Sequence, residues 1–104
     1  MLDHAREAAE LVRGRTRADL ETDRLLNLAL VRLCEIIGEA ASRVPQEDRL
    51  QHNDIAWSGI VSFRNRLIHG YDAIDFDILW QIVTGDLPAL IQALQRIVGS
   101  ESSQ

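Results

Sequence analysis

The chain has 104 residues, 46% of them hydrophobic and 26% charged, with a formal net charge of −5. That length is the size of one compact domain. The acidic balance excludes a general nucleic-acid coat protein, which carries a basic excess, but not an enzyme that meets RNA at one local basic site. The single cysteine, Cys34, excludes an internal disulfide. No apolar run approaches the roughly 20 residues of a membrane-spanning helix. With no signal peptide read at the start, the expected compartment is the cytoplasm.

Taken in order, the elements are helices with short connections, expected to form one domain over residues 1–99 with a disordered tail, Ser100 to Gln104. A first helix is predicted over Leu2 to Arg13, ending near Gly14. Thr16 and Asp19 resemble a capping box that restarts the helix. The main body of the second runs from about Asp23 to Val44 and stops before Pro45. A third starts after Asn53 or Asp54 and ends at Gly70, a residue suited to the turn past a helix end. Asp75 caps a short fourth helix that ends at Gly85. Asp86 caps a fifth, with Pro88 tolerated in its first turn. Nothing alternates with a period of two, so no strand is predicted. The fold class is all-α: an up-and-down bundle of about five helices.

Two helices have informative faces. In the fifth, Leu87, Leu90, Ile91, Leu94, Ile97 and Val98 follow the spacing of one buried stripe. In the second, Leu25, Leu28, Val31, Leu33 and Ile36 leave little of the circumference polar. A helix that is apolar nearly all round in so small a chain predicts either the central helix of the bundle or a face covered by a second copy; a homodimer is favoured.

The third helix holds an anomaly. On an ideal helix Arg64 falls within an apolar arc containing Trp57, Ile60, Val61, Phe63, Leu67 and Ile68. A buried guanidinium needs a partner or a wet cleft. Glu39, near the end of the second helix, is a candidate counter-ion; a phosphate, held by paired charged hydrogen bonds, is the functional counterpart. Asn65 and His69 are neighbours four apart on the other side, and Arg66 lies on the solvated side. His69 suits either the helix dipole or proton transfer near neutral pH. Arg64 and His69 point about 140° apart on a straight helix. Both serve one reacting atom only if the last turn unwinds or a second subunit completes the site.

The stretch Arg64-Asn65-Arg66-Leu67-Ile68-His69-Gly70-Tyr71 resembles the signature of the HEPN superfamily, and in particular the HepT-like toxins. Ile36-Ile37-Gly38-Glu39-Ala40-Ala41, Trp57, Ile74-Asp75, Trp80 and Asp86-Leu87-Pro88 follow in the family's order. The resemblance spans about Leu25 to Leu94. It implies a homodimeric HEPN-like bundle with the two motifs at a shared cleft and metal-independent RNA cleavage. It also implies a minimal nucleotidyltransferase partner acting as antitoxin, which attaches AMP to the motif tyrosine, here Tyr71.

On that reading His69 is the general acid or base, Arg64 stabilises the phosphate charge, and Asn65 orients the phosphate or His69. Glu39 and Arg66 are supporting residues. The products are a 2′,3′-cyclic phosphate and a 5′-hydroxyl. No cofactor and no metal are expected, because His4, His52 and His69 are scattered and Cys34 lies in an apolar helix. Arg13, Arg15 and Arg17 read as solvated loop charges, or as further RNA contacts if they reach the cleft. Trp57 and Trp80 read as core rather than base-stacking residues. The competing function is a non-catalytic helical interaction module that partners a nucleotidyltransferase. A DNA-binding regulator is disfavoured, since no basic recognition helix is present.

Overall fold

The computed structural model describes residues 1–69 and 73–102; for His69 and residues 100–102 the description is of the backbone alone. The architecture is an all-α bundle. Helix α1 (Leu2–Leu11) buries Ala5 and Ala8, whose small side chains let it lie close to its neighbours. Gly14 then turns the chain at φ +73°, a left-handed conformation that favours glycine. The Thr16 N–H donates to the Asp19 carboxylate at 2.7 Å as helix α2 (Arg17–Thr22) begins.

Helix α2 is separate from the helix that follows, not continuous with it. Asp23 is extended and caps α3 (Arg24–Ser42), accepting from the Leu26 N–H at 3.1 Å. Buried Asn27 donates to the carbonyl of Leu20 at 2.8 Å, using an oxygen that the end of α2 leaves free. Helix α4 (Gln46–Gln51), not anticipated from the sequence, follows Pro45 directly, and Pro45 occupies its N-cap. Arg49 ties it back, donating to the carbonyls of Ala41 at 2.9 Å and Val44 at 3.1 Å.

The stretch read as the third helix is two helices, α5 (Trp57–Val61) and α6 (Phe63–Leu67). It ends at Leu67, well before Gly70, which lies outside the described residues. Ile68 is extended, and Ile68–His69 (β1) pairs antiparallel with Ala73–Ile74 (β2), Ile68 opposite Ile74 and His69 opposite Ala73. This two-residue ladder corrects the expectation of no strands; it is too short for alternation to show in the sequence.

Asp75 caps α7 (Phe76–Gln81), accepting from the Ile78 N–H at 3.1 Å. A π turn over Ile82–Asp86 joins α7 to α8 (Leu87–Ser102) without a gap. Gly85 and Asp86 therefore neither end nor cap a helix, contrary to the sequence reading. Pro88 supplies a reason: inside a continuous helix its ring would crowd the carbonyl four residues back, and the wider turn just ahead opens that stretch. Helix α8 enters the segment 100–104 read as a tail; Ser103 and Gln104 lie outside the described residues.

Helix α1 packs against α3 and α8, α3 against α5 and α6, and α2 against α7. Leu20, Leu30, Ile37, Phe63, Leu67 and Leu79 fill the interior. Cys34 lies among them, and burial pushes its thiol up to about 12, the Glu35 carboxylate adding to the shift. The molecule is 17 Å across in its thinnest direction, less than two helix diameters. One side of α3 consequently stays open: Leu25 is 83% exposed and Leu28 44%. No helix among the described residues is long and apolar enough to cross a membrane.

At Gly38 the α3 backbone lies close against the α5–α6 segment. A Cβ there would stand 3.0 Å from the carbonyl oxygen of Ile60 and 3.5 Å from that of Val61. Gly→Ala within a helix ordinarily stabilises by about 1 kcal/mol. At position 38 the sign should reverse, because the neighbour is backbone that cannot swing aside. Gly38→Ala is expected to lower unfolding free energy by about 1–2 kcal/mol in a denaturant titration, whereas Gly99→Ala, whose Cβ would meet nothing within 4 Å, should not.

Candidate functional site

The break between α5 and α6 shapes the site. Ser62 has φ −92° and ψ 11°, and its hydroxyl donates to the carbonyl of Gly59 at 3.1 Å. A serine bonding back to the preceding turn competes with the regular helix pattern. The break is slight, since the Ser62 N–H still donates to the Ser58 carbonyl at 3.2 Å and the Arg66 N–H to the Ser62 carbonyl at 3.0 Å, yet the arginines are not where a straight-helix reading put them. Arg64, expected within the apolar arc, is exposed. Arg66, expected on the solvated side, is half-buried. It stands 5.7 Å from the Phe63 ring centre and 3.3 Å from the Asp86 carboxylate.

Arg64 and Asn65 line a cleft of about 330 Å³ together with Val61. Its other wall is one face of α3: Glu35, Gly38, Glu39 and Ser42. These four recur at the i, i+3, i+4, i+7 spacing, the signal in the sequence that would have found Glu35 and Ser42 alongside Glu39. Glu39 thus shares the cleft with Arg64, as the sequence reading required, but no ion pair or hydrogen bond joins them among the described residues. The predicted salt bridge is corrected to a shared, water-accessible cleft. Glu35 is engaged at 3.4 Å by Arg32 on its own helix.

Most of the other arginines are occupied. Arg13 pairs with Glu10 at 2.8 Å, Arg15 with Asp23 at 3.3 Å, and Arg17 with Asp77 at 2.5 Å and Glu21 at 3.4 Å. The run between the first two helices is therefore neutralised by its own neighbours and makes no free cationic patch. Arg96 pairs with Asp54 at 3.2 Å. Arg64 has no such partner among the described residues, so its guanidinium is open to an anion from outside.

His69 has its backbone in β1, two residues beyond the end of α6. Because the chain leaves the helix at Ile68, the 140° separation of Arg64 and His69 on a straight helix does not apply. Tyr71 lies outside the described residues. Trp57 and Trp80 are half-buried against the core, and the Trp57 indole donates to the carbonyl of His52 at 3.0 Å. Among the described residues no three His, Cys, Asp or Glu side chains gather as metal ligands.

The bundle and this cleft define a small helical domain whose exposed arginine and asparagine begin a short motif ending in histidine. Residues 1–97 match the family model described as "Ribonuclease HepT-like". The chain belongs to this HepT-like family of the HEPN superfamily. It is 36% identical over 93 residues to a Thermococcus cleftensis protein named "Probable ribonuclease HepT", covering 86% of this chain and 84% of that one. It is 35% identical over 92 residues to "Putative RNase TTE0752" of Caldanaerobacter subterraneus, covering 88% of this chain and 82% of the relative. No solved structure matches it.

If Arg64 serves a ligand rather than the fold, removing it leaves stability intact. Arg64→Ala and Glu39→Gln are each expected to change unfolding free energy by less than about 0.5 kcal/mol. A larger loss, measured by thermal or denaturant melts, would show a structural contact instead.

Proposed function

We propose that this protein is a metal-independent endoribonuclease and the toxin of a toxin–antitoxin pair. The observation that carries the reading is Arg64: exposed, without a protein counter-ion among the described residues, and in a cleft with Asn65 just upstream of His69. The 2′-hydroxyl of the RNA attacks the adjacent phosphorus and the bond to the 5′-oxygen breaks. Its proton leaves to a base, and another reaches the departing oxygen. His69 performs one of these transfers, Arg64 holds the phosphate as its charge grows, and Asn65 orients it. The products are a 2′,3′-cyclic phosphate and a 5′-hydroxyl. Purified wild type should cleave RNA equally with and without chelator, and His69→Ala and Arg64→Ala should each lose at least about 100-fold while melting normally. Cleavage at the wild-type rate by both variants, or its loss on chelation, would overturn the reading.

The active form is a homodimer joined through the open face of α3. Leu25 and Leu28 are exposed there, and the same helix carries Glu35 and Glu39 of the cleft. A dimer built on that face covers the leucines and draws the two clefts together. Sedimentation should give twice the chain mass for wild type and a single chain for Leu25→Glu, Leu28→Glu; equal masses would remove this interface.

The partner is a minimal nucleotidyltransferase antitoxin in the cytoplasm, transferring AMP to Tyr71. The added phosphate and base, joined to the motif that holds Arg64, would keep RNA out by charge and volume. The exposed leucines equally favour a second reading, a non-catalytic module that binds the nucleotidyltransferase. An intact partner complex with no RNA cleavage by any form would select it.

A further inference from the structure

On the opposite side of the α5–α6 segment from the cleft lies a second cavity, of about 220 Å³, between α5–α6 and the start of α8. Ile55, Phe63 and Leu90, each at most 5% exposed, form its floor. Gly59, Gly85 and Ala89 leave its rim free of bulk. Typical pockets for drug-sized ligands hold about 300–1,000 Å³, so this one fits a single ring system.

Its polar equipment is one guanidinium and one carboxylate. Arg66 donates through Nη1 to Asp86 at 3.3 Å and to the Gly59 carbonyl at 3.4 Å, both long contacts. Arg66 Nε and Nη2 and Asp86 Oδ1 make no hydrogen bond among the described residues, although both side chains are about two-thirds buried. These unused donors and acceptors stay open to solvent in the cavity and are free to meet a polar ligand. The π turn, which displaces Asp86 from a capping role, presents its carboxylate here; such turns recur at functional sites.

We infer that this cavity binds a nucleobase of the RNA strand, with guanine preferred. A flat ring covers the apolar floor. Guanine sets the acceptor O6 beside the donors N1–H and N2–H, so one edge offers an acceptor to Arg66 and donors to Asp86. An aliphatic or phenyl side chain would leave the Arg66–Asp86 pair with only its own long contact and would use none of its remaining donors and acceptors. Arg64 and Arg66 are two apart, so they project from nearly opposite sides of α6. A strand passing the helix places a phosphate on one and a base on the other. The inference rests on the reading of this chain as an RNA-binding enzyme, but its test does not need cleavage.

The test is binding of GMP, AMP, CMP and UMP to the full chain, followed by NMR. The phosphate is constant across the four, so differences report the base. Wild type should favour GMP by about 10-fold, the scale of a paired base contact. Asp86→Asn and the cavity-filling Ala89→Leu, each confirmed folded by melting, should abolish the preference. Arg64→Ala should weaken all four alike and keep the preference. Equal binding of the four by wild type, or a GMP preference surviving both cavity variants, overturns the inference. So does a change in oligomeric mass with Ala89→Leu alone, which would assign the cavity to a side chain of a second copy. Loss of RNA cleavage in His69→Ala with no base preference would sink the inference and leave the ribonuclease reading standing. A preference without cleavage would do the reverse.

Discussion

The close approach of the α5–α6 backbone to α3 at Gly38 is the constraint on which the rest depends. With 3.0 Å between an imagined Cβ and the Ile60 carbonyl, only a residue without a side chain lets the two elements meet. Their contact sets the width of the cleft, since Gly38 lines its base between the acidic face of α3 and Arg64 with Asn65. A helix pair held apart by a methyl group would widen the cleft.

A second constraint is electrostatic. A chain of net charge −5 that contacts RNA must keep a few cations unpaired while its many acids are occupied or turned away. The acids near the first turn do this by neutralising Arg13, Arg15 and Arg17. Within the cleft, Glu35 is drawn toward Arg32, and Glu39 stays exposed and unbonded to Arg64. The carboxylates opposite Arg64 lower its appeal to a long polyanion while leaving room for one phosphate. That arrangement suits a cutter acting at single positions better than a protein that coats a strand.

How much of this was legible in the sequence varies by residue. The capping role of Asp75, the Thr16–Asp19 pair and most of the buried faces of α3 and α8 follow from local rules and were readable; Val98, read as part of the buried stripe, is 50% exposed, lying near the end of α8. The wrong placements trace to breaks that periodicity cannot see. Ser62 interrupts a stretch whose apolar spacing is unbroken, so a straight-helix reading buried Arg64 and solvated Arg66, the reverse of what is found. Asp86 looked like a helix start because Asp-Leu-Pro is a common opening; a π turn instead carries the helix through it. The Arg66–Asp86 pair spans 20 residues and was outside the reach of any local pattern. Glu35 was findable, being one turn before Glu39.

The same break gives the short motif its two-sidedness. Were α5 and α6 one straight helix, Arg64 would sit against the core and need an internal counter-ion, and the motif would be a structural salt bridge. In the folded chain the two arginines take the reverse of those places. Arg66 takes the interior role, over the Phe63 ring and paired with Asp86, and ties the helix to the π turn ahead of α8. Arg64 is released to the cleft. The early exit from the helix at Ile68 then frees His69 from the helical register, its backbone held by the β1–β2 ladder rather than by α6. A site built this way needs a serine that breaks a helix, an arginine that repairs the break, and a second arginine left with nothing to hold.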